Sequence, residues 1–211
     1  MQKEVLSRKE KERLFKRAEI MDAAVSIFAK KGYRDTTLEE IAITSEFGKG
    51  TIYNYFKSKE DIYSAIIDDV SANLYEIIQQ ADSETKNSKE FFKLHSKLVF
   101  QYCVGKRDAF IIYVREIALF TTDIFINDRK KINERHEKVR SILNQVISKG
   151  MKLKEIKKYD AEKLTTLYEH LIFPYILFLI STFKDNFDQD REIDFILSVF
   201  YNGITNKKLN G

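Results

Sequence analysis

The chain has 211 residues, of which 44% are hydrophobic, enough for a packed core and for one or two domains. Its formal net charge of +4 permits nucleic-acid binding without demanding it. One proline and seven glycines leave few helix breakers, and no strand-like alternation is present, which together predict an all-α protein.

The first predicted helix runs from about Ser7 to Lys31 and ends at Gly32, with basic residues in its last turn. Apolar residues recur along it at steps of three and four, which indicates one buried face: Leu14, Ala18, Met21, Ala24 or Val25, and Phe28. Its first half mixes basic and acidic residues, which is typical of a solvated helix end. The alternative is an extended basic arm that contacts nucleic acid.

The stretch from Thr36 to Lys59 predicts two short helices joined by a tight turn. Thr36 and Thr37 each precede a glutamate by three positions, which is the spacing of a capping box. Ile41 and Ala42 form the inward face of the first helix, and the segment Ser45-Glu46-Phe47-Gly48 forms the turn. The second helix spans about Lys49 to Tyr55 and buries Ile52 and Phe56.

The second short helix exposes hydroxyl, amide and ammonium groups, whereas an ordinary solvated helix carries Glu and Lys. Such groups suit phosphate oxygens and base edges. Gly50 within so short a helix costs about 1 kcal/mol relative to alanine, and close approach of another surface would justify it. The pattern favours nucleic-acid contact over a merely solvated helical hairpin.

The string KGTIYNYFKSKE from Lys49, with Gly32-Tyr33, Thr37 and Ile41-Ala42 before it, resembles the DNA-binding domain of the TetR family of transcriptional regulators, over about residues 17–66. The family usually has a small residue and Gly in the turn and Ser before the Lys, where this chain has Ser45-Glu46-Phe47-Gly48. The resemblance implies that base edges are contacted by Lys49, Gly50, Thr51 and Asn54, and phosphates by Thr37, Tyr53, Tyr55 and Lys59.

A long helix follows Ser58 and runs to about Gln80. We therefore place the boundary along this helix, between a helix-turn-helix DNA-binding domain, 1–62, and a helical effector-binding and dimerisation domain, 63–211. Five further helices are predicted. They span about 89–104, which ends at Gly105; 108–120; a third that begins at 124 or 127 and runs to 149, ending at Gly150; 160–183; and 190–206.

The last two helices are apolar on almost every face, and a helix of that kind must be buried on every face. The natural cover is a second copy of the same two helices, which predicts a C₂ homodimer through a four-helix bundle. A dimer also fits an inverted-repeat operator in double-stranded DNA. Pro174 bends the first of these helices, and either makes room for a ligand or shapes the dimer contact.

The resemblance places a small-molecule pocket among the middle helices, whose aromatic residues favour an apolar or amphipathic effector. The candidate ligand-binding residues are Tyr102, Phe110, Tyr113, Arg115, Phe120, His136, Tyr168 and Phe173. Arg115 could pair with an anionic ligand or, equally, with Glu116 or a neighbouring helix. No cofactor and no metal site is predicted, because the histidines lack a companion ligand pattern.

The sequence predicts a ligand-responsive, homodimeric DNA-binding transcriptional regulator that acts as a repressor. Motifs of phosphate-binding loops, zinc proteases and serine hydrolases are missing, which argues against an enzyme. A signal peptide is not apparent, and the longest apolar run, Leu171 to Ile180, is too short to span a membrane, so we expect a cytoplasmic protein. The alternative is a helical protein-interaction adaptor that does not bind DNA.

Overall fold

The structure, a computed structural model, describes residues 7–119, 129–184 and 186–204. This described part contains helices and no strand, which confirms the all-α class. The helices are α1 (Arg8–Lys31), α2 (Leu38–Thr44), α3 (Lys49–Tyr53), α4 (Lys59–Glu84), α5 (Ser88–Gly105), α6 (Arg107–Leu119), α7 (Arg129–Lys152), α8 (Ala161–Thr182) and α9 (Gln189–Ile204).

The chain divides into two compact units. The first contains α1 to α3, α4 as far as Val70, and α6 from Asp108 onward. The second contains the rest of α4 from Ser71, together with α5, α7 from Lys130, α8 and α9. The functional boundary between residues 62 and 63 stays a prediction.

The first helix begins where its sequence predicts, because Ser7 and Glu10 form a capping box. It ends at Gly32, whose φ of 83° favours glycine. From Arg8 onward the segment is helical rather than an extended arm, and residues 1–6 lie outside the described part. The predicted inward face was wrong at its start: Leu14 is 52% exposed, Ala18 is exposed too, and the buried residues begin at Ile20.

Two helix bounds differ from the predictions for local reasons. Helix α3 ends at Tyr53, because Asn54 already serves as its C-cap. Gly150, predicted to end α7, lies buried inside it. A Cβ at this position would lie 2.8 Å from Cδ1 of Ile156 and 3.1 Å from Cβ of Ser88. The glycine is therefore explained by close packing rather than by a helix end.

The core of the second unit forms where α5 packs against α8 and α9. The ring centroid of Phe92 lies 4.7 Å from that of Tyr168 and 5.1 Å from that of Phe200. Only one face of α8 and one face of α9 are buried in this way. Large apolar side chains stay exposed on their other faces: Leu167, Phe178, Phe195 and Val199.

Helix α8 is long and apolar enough to cross a membrane, so the ten-residue apolar run used in the prediction was shorter than the apolar helix that contains it. However, 44% of its most apolar window is buried within the structure. Glu169, also buried, accepts a hydrogen bond of 2.5 Å from Nη1 of Arg140 on α7. Burial raises the pKa of Glu169, while the charges of Arg140 and His136 lower it. These contacts identify α8 as a core helix of the second unit.

Candidate nucleic-acid interface

The interface begins with the outward positions of α3 and the residue that follows it. Lys49 and Asn54 are exposed, as is Tyr53, whereas Thr51 and Tyr55 are half-buried. Within the described part of the chain, no hydrogen bond uses the side chains of Thr51, Tyr53, Asn54 or Tyr55. Their donors and acceptors are therefore available to a ligand such as DNA.

The inner face of α3 attaches it to the rest of the first unit. Ile52 and Phe56 are buried, as their spacing predicts, at 1% and 4% exposure. The guanidinium carbon of Arg17 on α1 lies 4.9 Å from the ring centroid of Phe56. Gly48 is the N-cap of α3 but offers no side-chain hydrogen bond to its first turn. This five-residue helix is therefore stabilised mainly by its tertiary packing.

The turn between α2 and α3 is a Schellman motif with an unusual residue in it. The amide of Phe47 donates to the carbonyl of Ala42 at 3.1 Å, and that of Glu46 donates to the carbonyl of Ile43 at 3.2 Å. This geometry requires a left-handed residue, and Glu46 occupies that position with φ of 57°. The turn thus keeps the geometry for which glycine is the usual residue, but with backbone strain at Glu46.

The start of α2 is determined by Thr37 rather than Thr36. Thr37 and Glu40 form the capping box, whereas Thr36 is buried and its hydroxyl donates to the carbonyl of Gly32 at 2.7 Å. Glu39 on α2 pairs with Lys49 on α3, and the Lys49 ammonium lowers the pKa of Glu39. DNA would have to compete with Glu39 for this lysine, a pairing that no spacing in the sequence predicts.

Gly50 lies on the exposed side of α3. A Cβ added there would meet nothing within 4 Å. The protein's own packing therefore does not require glycine at this position, and the predicted reason, close approach of a ligand surface, remains available.

Lys59, the first residue of α4, has a geometry that the sequence analysis did not anticipate. Its Nζ donates to the carbonyls of Thr36 at 2.7 Å, Tyr33 at 2.8 Å and Arg34 at 3.3 Å. An ammonium has three donors, so all of them are used within the protein. Its predicted contact with a DNA phosphate stays untested, and a phosphate would have to displace one of these carbonyls.

The candidate ligand-binding residues are distributed over both units. Phe110, Tyr113 and Arg115 belong to α6 in the first unit, where Arg115 is exposed. Phe120 lies outside the described residues. The second unit contains the others: Tyr102, His136, Tyr168 and Phe173.

Two of the candidates in the second unit have structural partners. The buried hydroxyl of Tyr168 lies 2.8 Å from Nδ1 of His95 and 3.0 Å from Oγ of Ser96. Burial lowers the pKa of His95 to about 4, which keeps its imidazole neutral. Nε2 of His136 lies 3.7 Å from Oε1 of Glu169. Tyr168 and His136 thus satisfy neighbouring groups, and their role toward a ligand stays a prediction.

A polar cavity of about 240 Å³ lies in the second unit, at the start of α5 and the end of α7. Its lining includes Asp82, Asn87, Gln145, Lys149 and Glu155, and none of the candidate ligand-binding residues. Glu155 accepts hydrogen bonds from the amide and the hydroxyl of Ser88, at 3.0 and 2.6 Å. Its small size and polar lining do not match the apolar part of the predicted apolar or amphipathic effector.

Comparisons with known proteins agree with this geometry. Residues 20–66 match the family model described as bacterial regulatory proteins, tetR family. The chain is 31% identical over 168 residues to the uncharacterized HTH-type transcriptional regulator YhgD of Bacillus subtilis (strain 168). The alignment covers 74% of this chain and 82% of that protein. It is 28% identical over 193 residues to the fatty acid metabolism regulator protein of the same organism, over 90% of this chain and 95% of the relative.

The fold also matches a solved structure. The crystal structure of the transcriptional regulator FadR from Bacillus subtilis, in complex with stearoyl-CoA, aligns with a TM-score of 0.73. The alignment covers 88% of this chain and 98% of that one, at 24% identity. At this identity the likeness establishes the shared fold.

The strained turn leads to a testable prediction. Replacing Glu46 with Gly should raise the free energy of unfolding by about 1 kcal/mol, because glycine adopts a positive φ without a Cβ clash. Urea unfolding measures the change. Glu46→Ala is the matched control: it also removes the carboxylate but keeps the Cβ, and should give no such gain. Equal stabilisation by both variants would attribute the effect to the charge.

Proposed function

The chain belongs to the TetR family of bacterial transcriptional regulators, and we propose that it is a repressor that binds an inverted-repeat operator as a homodimer. An amphipathic effector would release it from the operator. DNA binding and transcriptional regulation are properties of the family. The operator symmetry, the dimer and the effector are the parts proposed for this chain.

The observation that carries the DNA contact is the polar surface formed by α3 and the two residues after it. Within the described residues, its members Thr51, Tyr53, Asn54 and Tyr55 make no side-chain hydrogen bond. In our proposal the base edges are contacted by Lys49, Gly50, Thr51 and Asn54. These residues lie on the faces of α3 and its C-cap that remain outside, because the inner face is formed by the buried Ile52. Phosphates would be held by the hydroxyl-bearing residues that flank this surface: Thr37, Tyr53 and Tyr55.

The homodimer is supported by the exposed apolar faces of α8 and α9. Phe178, Phe195 and Val199 are 49–54% exposed in the single chain. A second copy of this face would cover them, and a two-fold axis would present one recognition helix to each half-site. Repression needs only occupancy of the operator, whereas activation also requires a surface for RNA polymerase. We propose a cytoplasmic location, where the operator lies.

We propose a long-chain acyl-CoA as the effector. The support comes from the fatty acid metabolism regulator, which is similar over most of its length, and from the FadR structure that contains stearoyl-CoA. Such a molecule joins a long apolar chain to an anionic head, which matches the amphipathic effector that the aromatic residues predict.

One buried contact gives the effector a route to the DNA-binding unit. Helix α6 follows α5 after a single residue, Lys106, and packs within the first unit. Its buried Glu116 accepts a hydrogen bond of 3.5 Å from the Tyr63 hydroxyl on α4. Burial and the Glu116 carboxylate raise the pKa of Tyr63, so the hydroxyl remains a donor. A displacement of α6 would move Tyr63, and α4 with it.

Selection from a random duplex library tests the proposed function. The wild type should enrich an inverted repeat with half-site centres at least about one helical turn apart. No enrichment at low salt would contradict DNA recognition and favour the protein-interaction adaptor. Gly50→Ala should raise stability by up to about 1 kcal/mol. It should nevertheless weaken binding to the selected duplex about tenfold or more, since a methyl group would obstruct contacts of about 1–3 kcal/mol.

Gly105→Ala is the matched control for that variant. Gly105 is also an exposed helical glycine with nothing within 4 Å of an added Cβ, but it ends α5 in the second unit. It should change stability without changing DNA affinity. Equal affinity losses for the two variants would contradict a close approach of DNA at Gly50.

The effector proposal predicts that stearoyl-CoA weakens binding of the wild type to the selected duplex about 5- to 150-fold, the usual range of allosteric coupling. Coenzyme A and stearate, tested separately, should have little effect. Tyr63→Phe removes the hydroxyl that contacts Glu116 and should reduce the factor by which stearoyl-CoA weakens duplex binding. Tyr75→Phe makes the same change further along α4 and should leave it unchanged. No response of the wild type would exclude this class of effector.

A further inference from the structure

The segment from Tyr33 to Thr36 links α1 to α2 and leaves several carbonyls without helical partners. Three of these carbonyls, those of Tyr33, Arg34 and Thr36, accept hydrogen bonds from Nζ of Lys59. Lys59 lies 23 to 26 positions further along the chain. The Tyr33 carbonyl also accepts from the Thr36 amide at 3.4 Å. One side chain therefore ties together three backbone carbonyls of a connection that has no helical hydrogen-bond ladder of its own.

Aromatic contacts reinforce the position of the ammonium. Nζ of Lys59 lies 4.3 Å from the ring centroid of Tyr33, a cation–π distance. The Tyr33 hydroxyl donates to the Glu60 carboxylate beside it, which lowers the pKa of Glu60. The Tyr33 ring also packs on that of Tyr63, with centroids 4.9 Å apart. Tyr33 is thus held at its ring, its hydroxyl and its carbonyl.

We infer that Lys59 is a positioning residue, whose ammonium fixes the Tyr33–Thr36 segment and thereby the start of α2. Thr37, the N-cap of α2, follows this segment directly. Helix α2 in turn packs against α3, so the placement of the recognition helix depends on the segment that Lys59 holds. This role in DNA binding rests on the proposed function, whereas the fixation of the segment does not.

Electrostatics favours this role over a contact with a DNA phosphate. A phosphate that bound the ammonium would have to displace at least one of its three carbonyl acceptors, and would compete with the cation–π contact to Tyr33. Lys57, two positions earlier, is exposed and makes no such contacts within the described residues. A phosphate can reach that lysine without displacing anything.

The test replaces Lys59 with Met in the full chain and measures two quantities. The first is the urea midpoint of unfolding. The second is the affinity for the selected duplex as a function of salt, under conditions where the variant is folded. A positioning role predicts a lower midpoint and weaker binding, with the slope of log K against log salt unchanged. A lost phosphate contact would instead reduce the slope by about 0.9.

Lys57→Met is the matched control, since it removes the same charge nearby and should leave the midpoint unchanged. A slope reduced by about 0.9 in Lys59→Met would overturn the inference whatever the midpoint does. An unchanged midpoint or an unchanged affinity would also overturn it. If the wild type enriched no duplex, the proposed function would fail, and the two midpoints alone would still decide whether Lys59 fixes the segment.

Discussion

The DNA-binding unit depends on tertiary contacts that position a recognition helix too short to be stable alone. An isolated helix of five residues is unstable in water, so α3 exists only because its neighbours position it. Ile52 and Phe56 attach it from inside, and the Schellman turn at Glu46 fixes its entry. Lys59 fixes the segment before α2, the helix on which α3 rests. The outward side chains of α3 thereby stay at the surface, with Lys49 paired to Glu39 and with Thr51 and Tyr53 free of side-chain hydrogen bonds within the described residues.

Regulation would use the helices that connect the units along the chain. Helix α4 begins beside the recognition helix and continues into the second unit, and α6 returns to the first unit directly after α5. The Tyr63–Glu116 contact joins these two helices within the first unit. The apolar faces left on α8 and α9 would set the spacing of two recognition helices in a dimer. Effector binding could then bias DNA affinity by shifting populations of existing conformations.

Local chemistry made the short helices of the first unit predictable, whereas contacts between distant residues could not be predicted. The capping box at Thr37, the buried pair Ile52 and Phe56, and the all-α class all follow from spacing rules that act over a few residues. The bonds of Lys59 to carbonyls 23 to 26 positions away follow no such rule. Gly150 was misread as a helix end, because only the folded chain brings Ser88 from the start of α5 against it. Candidate ligand residues, chosen by type alone, are divided between two units.

Hydrogen exchange of the backbone amides, with and without the selected duplex, tests most directly whether the first unit contains the DNA-binding surface. The first turn of α3 has amides without helical partners, and contact with DNA should protect them. The account predicts that slowed exchange is concentrated between Thr37 and Lys59. Protection confined to the second unit, with α2 and α3 exchanging at their free rates, would contradict it.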